Sequence, residues 1–504
     1  MTSRTPQFAI FNLQFAIDFS LCVVYNIAEP GKGGTPVRTE LYEYEIKPIC
    51  FLANNESTGR AGEETALRIR ALNRKFEFRP GNVYYLRLLE TAKAENVRFP
   101  GTDCERRFAL EPDEEGVLTL SASFPREGMY QIQILDGENG KPAAELRVYA
   151  LDGDMRGRYP FRGDLHMHTC RSDGREDPFT VCANYRAHGY DFTIISDHNR
   201  YYPSLEAREK FMIGDDDESP ITGLLVIPGE EVHLPFNAVH YVNCGSSFSI
   251  NALVTPSKNE EKGGTDPRWR STDGNCPPVM TKDEFEEMIR ERAKGIDREL
   301  ESERLSMAVA EWTYEMVKKG GGLGIFPHPY WLCKSMQLSE DYVYYYYERR
   351  PFDAFEVLGG ESYYQHNGFQ TAFYYENRAR GLNYPVVGST DSHGSTERNR
   401  NALICSTIVF SPKNKVRELI DSIKEGKSVA IDTISAEYRA VGEFRFIKYA
   451  SFLMENWYPL HDQACAAEGY YMKRFADGDE SAEAVLRAVR GIPERLMSEF
   501  FSLD

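Results

Sequence analysis

The chain reads as an α/β protein in three parts: an N-terminal antiparallel β-sandwich (1–155), a βα barrel-type domain (160–432) and a helical C-terminal extension (433–504). Three observations predict this. The first 155 residues are short alternating segments between turn clusters. Strand-like and helical stretches then alternate, the pattern of parallel βα units. Residues 433–504 are aromatic and helical in period.

The opening part breaks into β segments at 15–25, 83–89, 117–124, 129–135 and 144–149. Clusters such as Glu29-Pro30-Gly31-Lys32-Gly33-Gly34 and Asp136-Gly137-Glu138-Asn139-Gly140-Lys141 separate them. Short strands with turn residues between them suit a sandwich of immunoglobulin-like type. From Phe161 the candidate strands are 163–168, 192–196, 224–228, 239–243, 322–326, 352–357 and 386–389, with helical stretches at 179–188, 369–380 and 415–425. An insertion at 245–320 interrupts them. Its first part, 256–278, is rich in Gly, Pro, Asn and Asp and reads as an irregular loop. Its second part opens on the capping box Thr281-Lys282-Asp283-Glu284 and is expected to run as one long amphipathic helix to about Lys319. In the last part, 444–456 and 482–490 read as helices that pack on the barrel or on a second copy of the chain.

Composition narrows the function classes. A chain of 504 residues, 41% hydrophobic and 12% aromatic, supports one large domain with smaller units around it. A net charge of −18 argues against nucleic acid or acidic lipid as a partner. No apolar run approaches the roughly 18 residues of a membrane span, and the first residues carry no apolar core of a secretory signal. The ten cysteines are scattered singly, with no C-x-x-C pair, as expected of reduced thiols in a cytoplasmic protein.

The chemistry is concentrated in five short clusters that hold six of the ten histidines, with carboxylates at ligand spacing. They are His166-Met167-His168 followed by Asp173, Ser196-Asp197-His198, Gly229-Glu230-Glu231 with His240, Pro327-His328-Pro329, and Asp391-Ser392-His393. Imidazole and carboxylate without thiolate is a donor set for Mn, Fe or Zn in a hydrolytic centre. His166 and His168, two apart on an expected strand, project from one face. The other clusters follow strand-like runs, where the functional rim of a βα barrel lies. Divalent cations held close together acidify a shared water, and the resulting hydroxide attacks an ester with no protein nucleophile. His198 and His393 can assist proton transfer, although ligation uses the same nitrogens. Asp197 is expected to orient His198. Arg171, Arg200 and Lys334 are candidate contacts for an anionic substrate, and Tyr330 and Trp331 are candidate walls. His188, His233, His366 and His461 fit no ligand pattern and are expected to be structural.

The order H-x-H, S-D-H, G-x-E, P-H-P, D-S-H resembles the PHP (polymerase and histidinol phosphatase) superfamily over about residues 160–432. The resemblance implies a distorted (β/α)7 TIM-like barrel with two or three divalent metal ions. It implies that His166, His168, Glu231 and Asp391 hold one ion, that Glu231 bridges to a second held with His240 and His328, and that Asp173, His198 and His393 hold a third. Asp173 stands where many relatives carry histidine. The expected activity is hydrolysis of a small-molecule phosphate ester. The alternative is a carboxylic ester or carbamate hydrolase, since relatives with an N-terminal β-rich domain resemble carbaryl hydrolases.

Overall fold

The computed structural model describes residues 44–52, 64–92, 105–262, 267–360, 364–396, 405–432 and 439–501; the expected strand at 15–25 lies outside them. In the N-terminal part, Tyr44–Ile46, Thr65–Ala71 and Val117–Ala122 form one antiparallel sheet. Ile49–Phe51, Pro142–Leu151, Gly128–Leu135, Tyr84–Glu90 and Glu105–Leu110 form a second, antiparallel except for its first pair. Alternation drives the packing: Leu67, Ile69, Leu118 and Leu120 of one sheet bury against Leu86, Leu88, Ile132 and Leu146 of the other.

Among the described residues, eleven strands make the two main sheets of the site-bearing part: β1 (Tyr159–Asp164), β2 (Phe192–Ile194), β3 (Leu225–Ile227), β4 (Gly229–Val232), β5 (Tyr241–Cys244), β6 (Leu323–Phe326), β7 (Ala354–Leu358), β8 (Val386–Gly388), β9 (Cys405–Ser411), β10 (Ser428–Asp432) and β11 (Ala440–Gly442). They hydrogen-bond as two sheets, in the orders β3-β2-β1-β9-β10-β11 and β4-β5-β6-β7-β8. A single closed ring of seven parallel strands, the expected barrel, is not what the described residues form. β1, β2 and β3 are parallel, as are β6, β7 and β8, but β4–β5, β5–β6 and the β9–β10–β11 run are antiparallel. The reason is local. Only residues 233–240 join β4 to β5, too few for a parallel crossover, which takes about a dozen or more.

The two sheets meet along both sides. On one side His198 pairs as an isolated bridge with Glu231. On the other Met167 pairs with Ser392, and Thr407 Oγ1 on β9 accepts from Gly388 N and donates to Gly388 O on β8, at 3.0 and 2.8 Å.

The insertion departs from its expected single helix. Lys282–Ala293 and Glu301–Lys319 are separate helices packed on each other through pairs such as Phe285–Trp312. Gly295 lies in the break, where it favours a turn over helix. The Thr281–Glu284 capping box is present. The C-terminal helices Phe444–Asn456 and Tyr458–Ala476 lie on the sheets and on helix Pro178–Ala187. Gly469 allows that contact, because a Cβ there would stand 2.3 Å from Ala187 N. Glu468, buried in the same helix, accepts from Gly223 N at 2.6 Å and pairs with the buried Arg186 at 3.1 Å. No described helix is long and apolar enough to cross a membrane.

Candidate metal centre

Most of the expected ligands stand a few residues past the end of a strand. β1 stops at Asp164, so His166 and His168 lie beyond it and not on it. Their alternation survives: both imidazoles are fully buried on the site side, while Met167 between them enters the apolar core. Asp164 holds this segment, accepting from His166 N at 3.1 Å and Thr390 N at 3.0 Å, which ties the H-x-H stretch to the D-S-H stretch. His198 follows β2. Glu231 lies within β4, not after a strand, and His240 immediately precedes β5. His328 follows β6, and Asp391 and His393 follow β8. His328 and Asp391 have φ of 27° and 47°, left-handed values that cost a non-glycine residue energy and recur at functional sites.

The centre of the arrangement is the Glu231 carboxylate, fully buried. Its Oε2 is 2.7 Å from His198 Nδ1, 3.4 Å from His233 Nε2, 3.5 Å from His168 Nε2 and 3.6 Å from His166 Nε2. Its Oε1 is 2.8 Å from His240 Nδ1 and 3.6 Å from His328 Nε2. Neither oxygen takes an aligned hydrogen bond, and His166 Nε2 is likewise buried without one. Asp391 Oδ1 lies 3.0 Å from His168 Nε2 and 3.4 Å from His166 Nε2. On the open side Asp173 Oδ2 is 3.3 Å from His393 Nε2 and 3.5 Å from His198 Nε2.

Five overlapping donor sets result, each with one donor atom per residue within 4.8 Å of the others. They are His168–Asp173–His198–His393, His166–His328–Asp391, His166–His168–Glu231, Glu231–His240–His328 and His198–Glu231–His233. All nine expected ligands are among them. At their middle, both Glu231 oxygens and His166 Nε2 are buried without an aligned hydrogen bond, which fits divalent cations: buried polar atoms ordinarily find partners.

Burial and the facing charges shift the cluster in both directions. Burial alone would raise Glu231 and Asp391, yet the surrounding imidazoles hold both carboxyls well below the usual range. Burial pushes the His168 imidazole down to about 4, so it stays neutral, the form that ligates. His198 moves the other way, to about 10, because Asp173 and Glu231 outweigh its burial.

The expected secondary contacts divide. Asp197 does not orient the His198 ring. It accepts from Thr169 N at 2.9 Å and Ser172 N at 3.1 Å, and so fixes the turn that delivers Asp173. Tyr330 is buried against Phe369 and Phe373, whereas the part-exposed Trp331 ring lies 6.1 Å from His240 and 6.3 Å from His328. Arg171 is held by Glu206 at 2.8 Å, and Arg200 by Glu261 of the insertion at 3.0 Å. Lys334 is exposed on a short hairpin. His461 is buried against Asp191, far along the chain from the centre.

Two participants were not foreseen. His233 joins the donor sets although it matched no motif. Glu356, buried on β7, places Oε2 3.1 Å from His166 Nδ1 while its Oε1 accepts from His328 N at 3.3 Å. Spacing from Glu231 gave a signal for His233, once the strand phase is known; a lone Glu in an apolar strand was the only signal for Glu356.

No protein-family model matches the sequence, and no curated protein does. Among solved structures, a two-domain protein of Bacteroides vulgatus containing a predicted PHP-like metal-dependent phosphoesterase aligns at 16% identity over 55% of this chain and 65% of its own, with a TM-score of 0.34. A protein of Bifidobacterium adolescentis, provisionally described as a metal-dependent phosphoesterase, aligns at 18% identity over 47% of this chain and 89% of its own, with a TM-score of 0.28. At this level of likeness the chemistry is read from the side chains.

Proposed function

We propose that this chain is a metallohydrolase of the PHP superfamily and that it hydrolyses a small phosphate ester. The observation that carries the reading is the gathering of six imidazole nitrogens within 3.6 Å of the buried Glu231 carboxylate. Buried charge of this kind costs stability unless it is compensated, and divalent cations compensate it. His166, His168, Glu231 and Asp391 would hold one ion, Glu231 with His240 and His328 a second, and Asp173, His198 and His393 a third, each Mn, Fe or Zn. When bound, such ions acidify water and offset charge on the phosphoryl oxygens.

The chain's own residues do the rest. Glu231 would be shared between ions, since its Oε2 faces His166, His168 and His198 and its Oε1 faces His240 and His328. Glu356 sets the His166 ring so that Nε2 faces inward. Asp173 and His393, the more exposed donors, mark the side from which substrate enters. Arg171 and Arg200 supply positive charge at that mouth once an anionic substrate displaces their carboxylate partners, and the exposed Lys334 is a third cation for it. Trp331 walls the side toward His240 and His328. His198 and His393 are ligands first and proton-transfer assistants second. We take the enzyme to be cytoplasmic and able to self-associate.

A carboxylic ester or aryl carbamate hydrolase is the second reading. Two observations favour it: both mouth arginines already have carboxylate partners, and Trp331 offers a ring to an aromatic leaving group. The test is a panel of nitrophenyl phosphates, phosphodiesters, acyl esters and aryl carbamates, assayed on metal-loaded and chelator-treated protein. Chelator-sensitive phosphate release supports the first reading, and turnover confined to the acyl compounds overturns it in favour of the second.

A further inference from the structure

His233 was expected to be structural, yet it lies on the same face of the chain as Glu231, two residues on and just past the end of β4. Its backbone N donates to Asn251 Oδ1 at 3.3 Å, and Asn251 Nδ2 is bonded to the buried Glu230 at 3.0 Å, so the backbone there is anchored. The ring turns inward although about a quarter of the side chain is exposed (27%). Nε2 stands 2.9 Å from His198 Nδ1 and 3.4 Å from Glu231 Oε2, and those two atoms are 2.7 Å apart. Bonds of about 2.0–2.2 Å to one cation place neighbouring donors near these separations. A surface histidine with no such role has water to face instead.

We infer that His233 is a tenth ligand of the centre, closing with His198 Nδ1 and Glu231 Oε2 one cation position on the open side of Glu231. The inference rests on the metallohydrolase reading above. It has a consequence for His198, whose Nε2 faces Asp173 while its Nδ1 faces Glu231 and His233. A neutral imidazole lends its lone pair through one nitrogen only. The position closed by His233 and the position closed by Asp173 therefore compete for His198, and a cation at one leaves the other to its remaining donors.

The experiment strips the full-length protein with chelator and titrates it with Zn alone, and separately with Mn alone, reading equivalents by elemental analysis and affinity by calorimetry. Wild type is compared with His233→Ala and His233→Gln, and the fold of each metal-free variant is checked by circular dichroism. Both variants are expected to lose one equivalent, or to bind it about ten-fold or more weakly. Wild-type equivalents and affinities in either variant would overturn the inference and leave His233 a hydrogen-bond partner of His198. A wild-type protein that takes up neither metal would instead overturn the metallohydrolase reading, and this inference with it.

Discussion

Removing Glu356 tests whether the centre is organised from behind. The carboxylate is fully buried, 3.1 Å from His166 Nδ1 through one oxygen and 3.3 Å from His328 N through the other. It thus holds two ligand residues whose rings stack at 5.4 Å. Carboxylate partners of ligating histidines fix the tautomer and the ring angle, and their loss lowers metal affinity by about 10–100-fold. That corresponds to about 1.4–2.7 kcal/mol. Glu356→Ala should fall in this range, because it leaves the His166 Nδ1 proton buried without an acceptor. Glu356→Gln retains an acceptor oxygen and should recover part of the loss. The assay is calorimetric titration of chelator-stripped protein with Zn at fixed pH, with a melt of each metal-free variant to separate ligand disorder from unfolding. If Glu356→Ala folds and binds Zn as tightly as wild type, then His166 is positioned by something else and the reasoning fails.

Three further outcomes are expected. Trp331→Ala should raise KM roughly 3–10-fold for substrates with an aromatic leaving group while kcat holds, as one lost ring contact implies. Tyr330→Ala, in the core, should instead lower stability by about 3 kcal/mol in denaturant titrations with little kinetic effect; the reverse pattern would exchange their roles. Glu261→Ala frees Arg200 at a cost of roughly 0–1 kcal/mol of stability, and KM for anionic substrates should fall; an unchanged KM would take Arg200 out of the substrate's reach. His461 is fully buried and burial opposes its charge, but Asp191 at 2.9 Å and Asp462 raise its pKa well above the ordinary value. Its contribution is complete below the unfolded pKa near 6.5 and is lost as pH rises toward the folded value. Melts of wild type should therefore weaken from pH 7 upward more steeply than those of His461→Gln, and parallel curves would remove His461 as the cause.

The ligands were legible because their chemistry is in their identity. H-x-H, P-H-P and D-S-H are short, and each needs only its own few residues to place the donors. Fold closure was less legible because it depends on how strands pair, which no single segment encodes. The 233–240 connection carried a usable signal, since eight residues cannot hold a crossover, but apolar runs at 224–228 and 239–243 look alike in either sense. The break after Ala293 was equally visible in Lys294-Gly295, and amphipathic period alone masked it. His233 failed for a different reason. Its relation to Glu231 exists only when both lie at one strand end in a known phase, and an E-x-H pair in a sequence says nothing until that strand is placed.

The distribution of cost in the molecule argues that the centre is what the fold is arranged around. Donors follow β1 and β2 of one sheet and β6 and β8 of the other within a few residues, lie within β4 and precede β5, so both sheets supply the centre. At that centre the chain keeps His328 and Asp391 in left-handed conformations and buries a carboxylate among imidazoles. Both features cost stability without a ligand. Apolar side chains at these positions would pack better, and the core between the two sheets shows the sequence can supply them, with Ile194 and Val226 of one sheet and Val242, Ile325 and Val387 of the other fully buried in one cluster. Retaining strain and charge where apolar packing was available is intelligible if cations draw ligands from both sheets together. The surrounding cores then fix the donors in advance, so binding a cation orders little that is not already ordered.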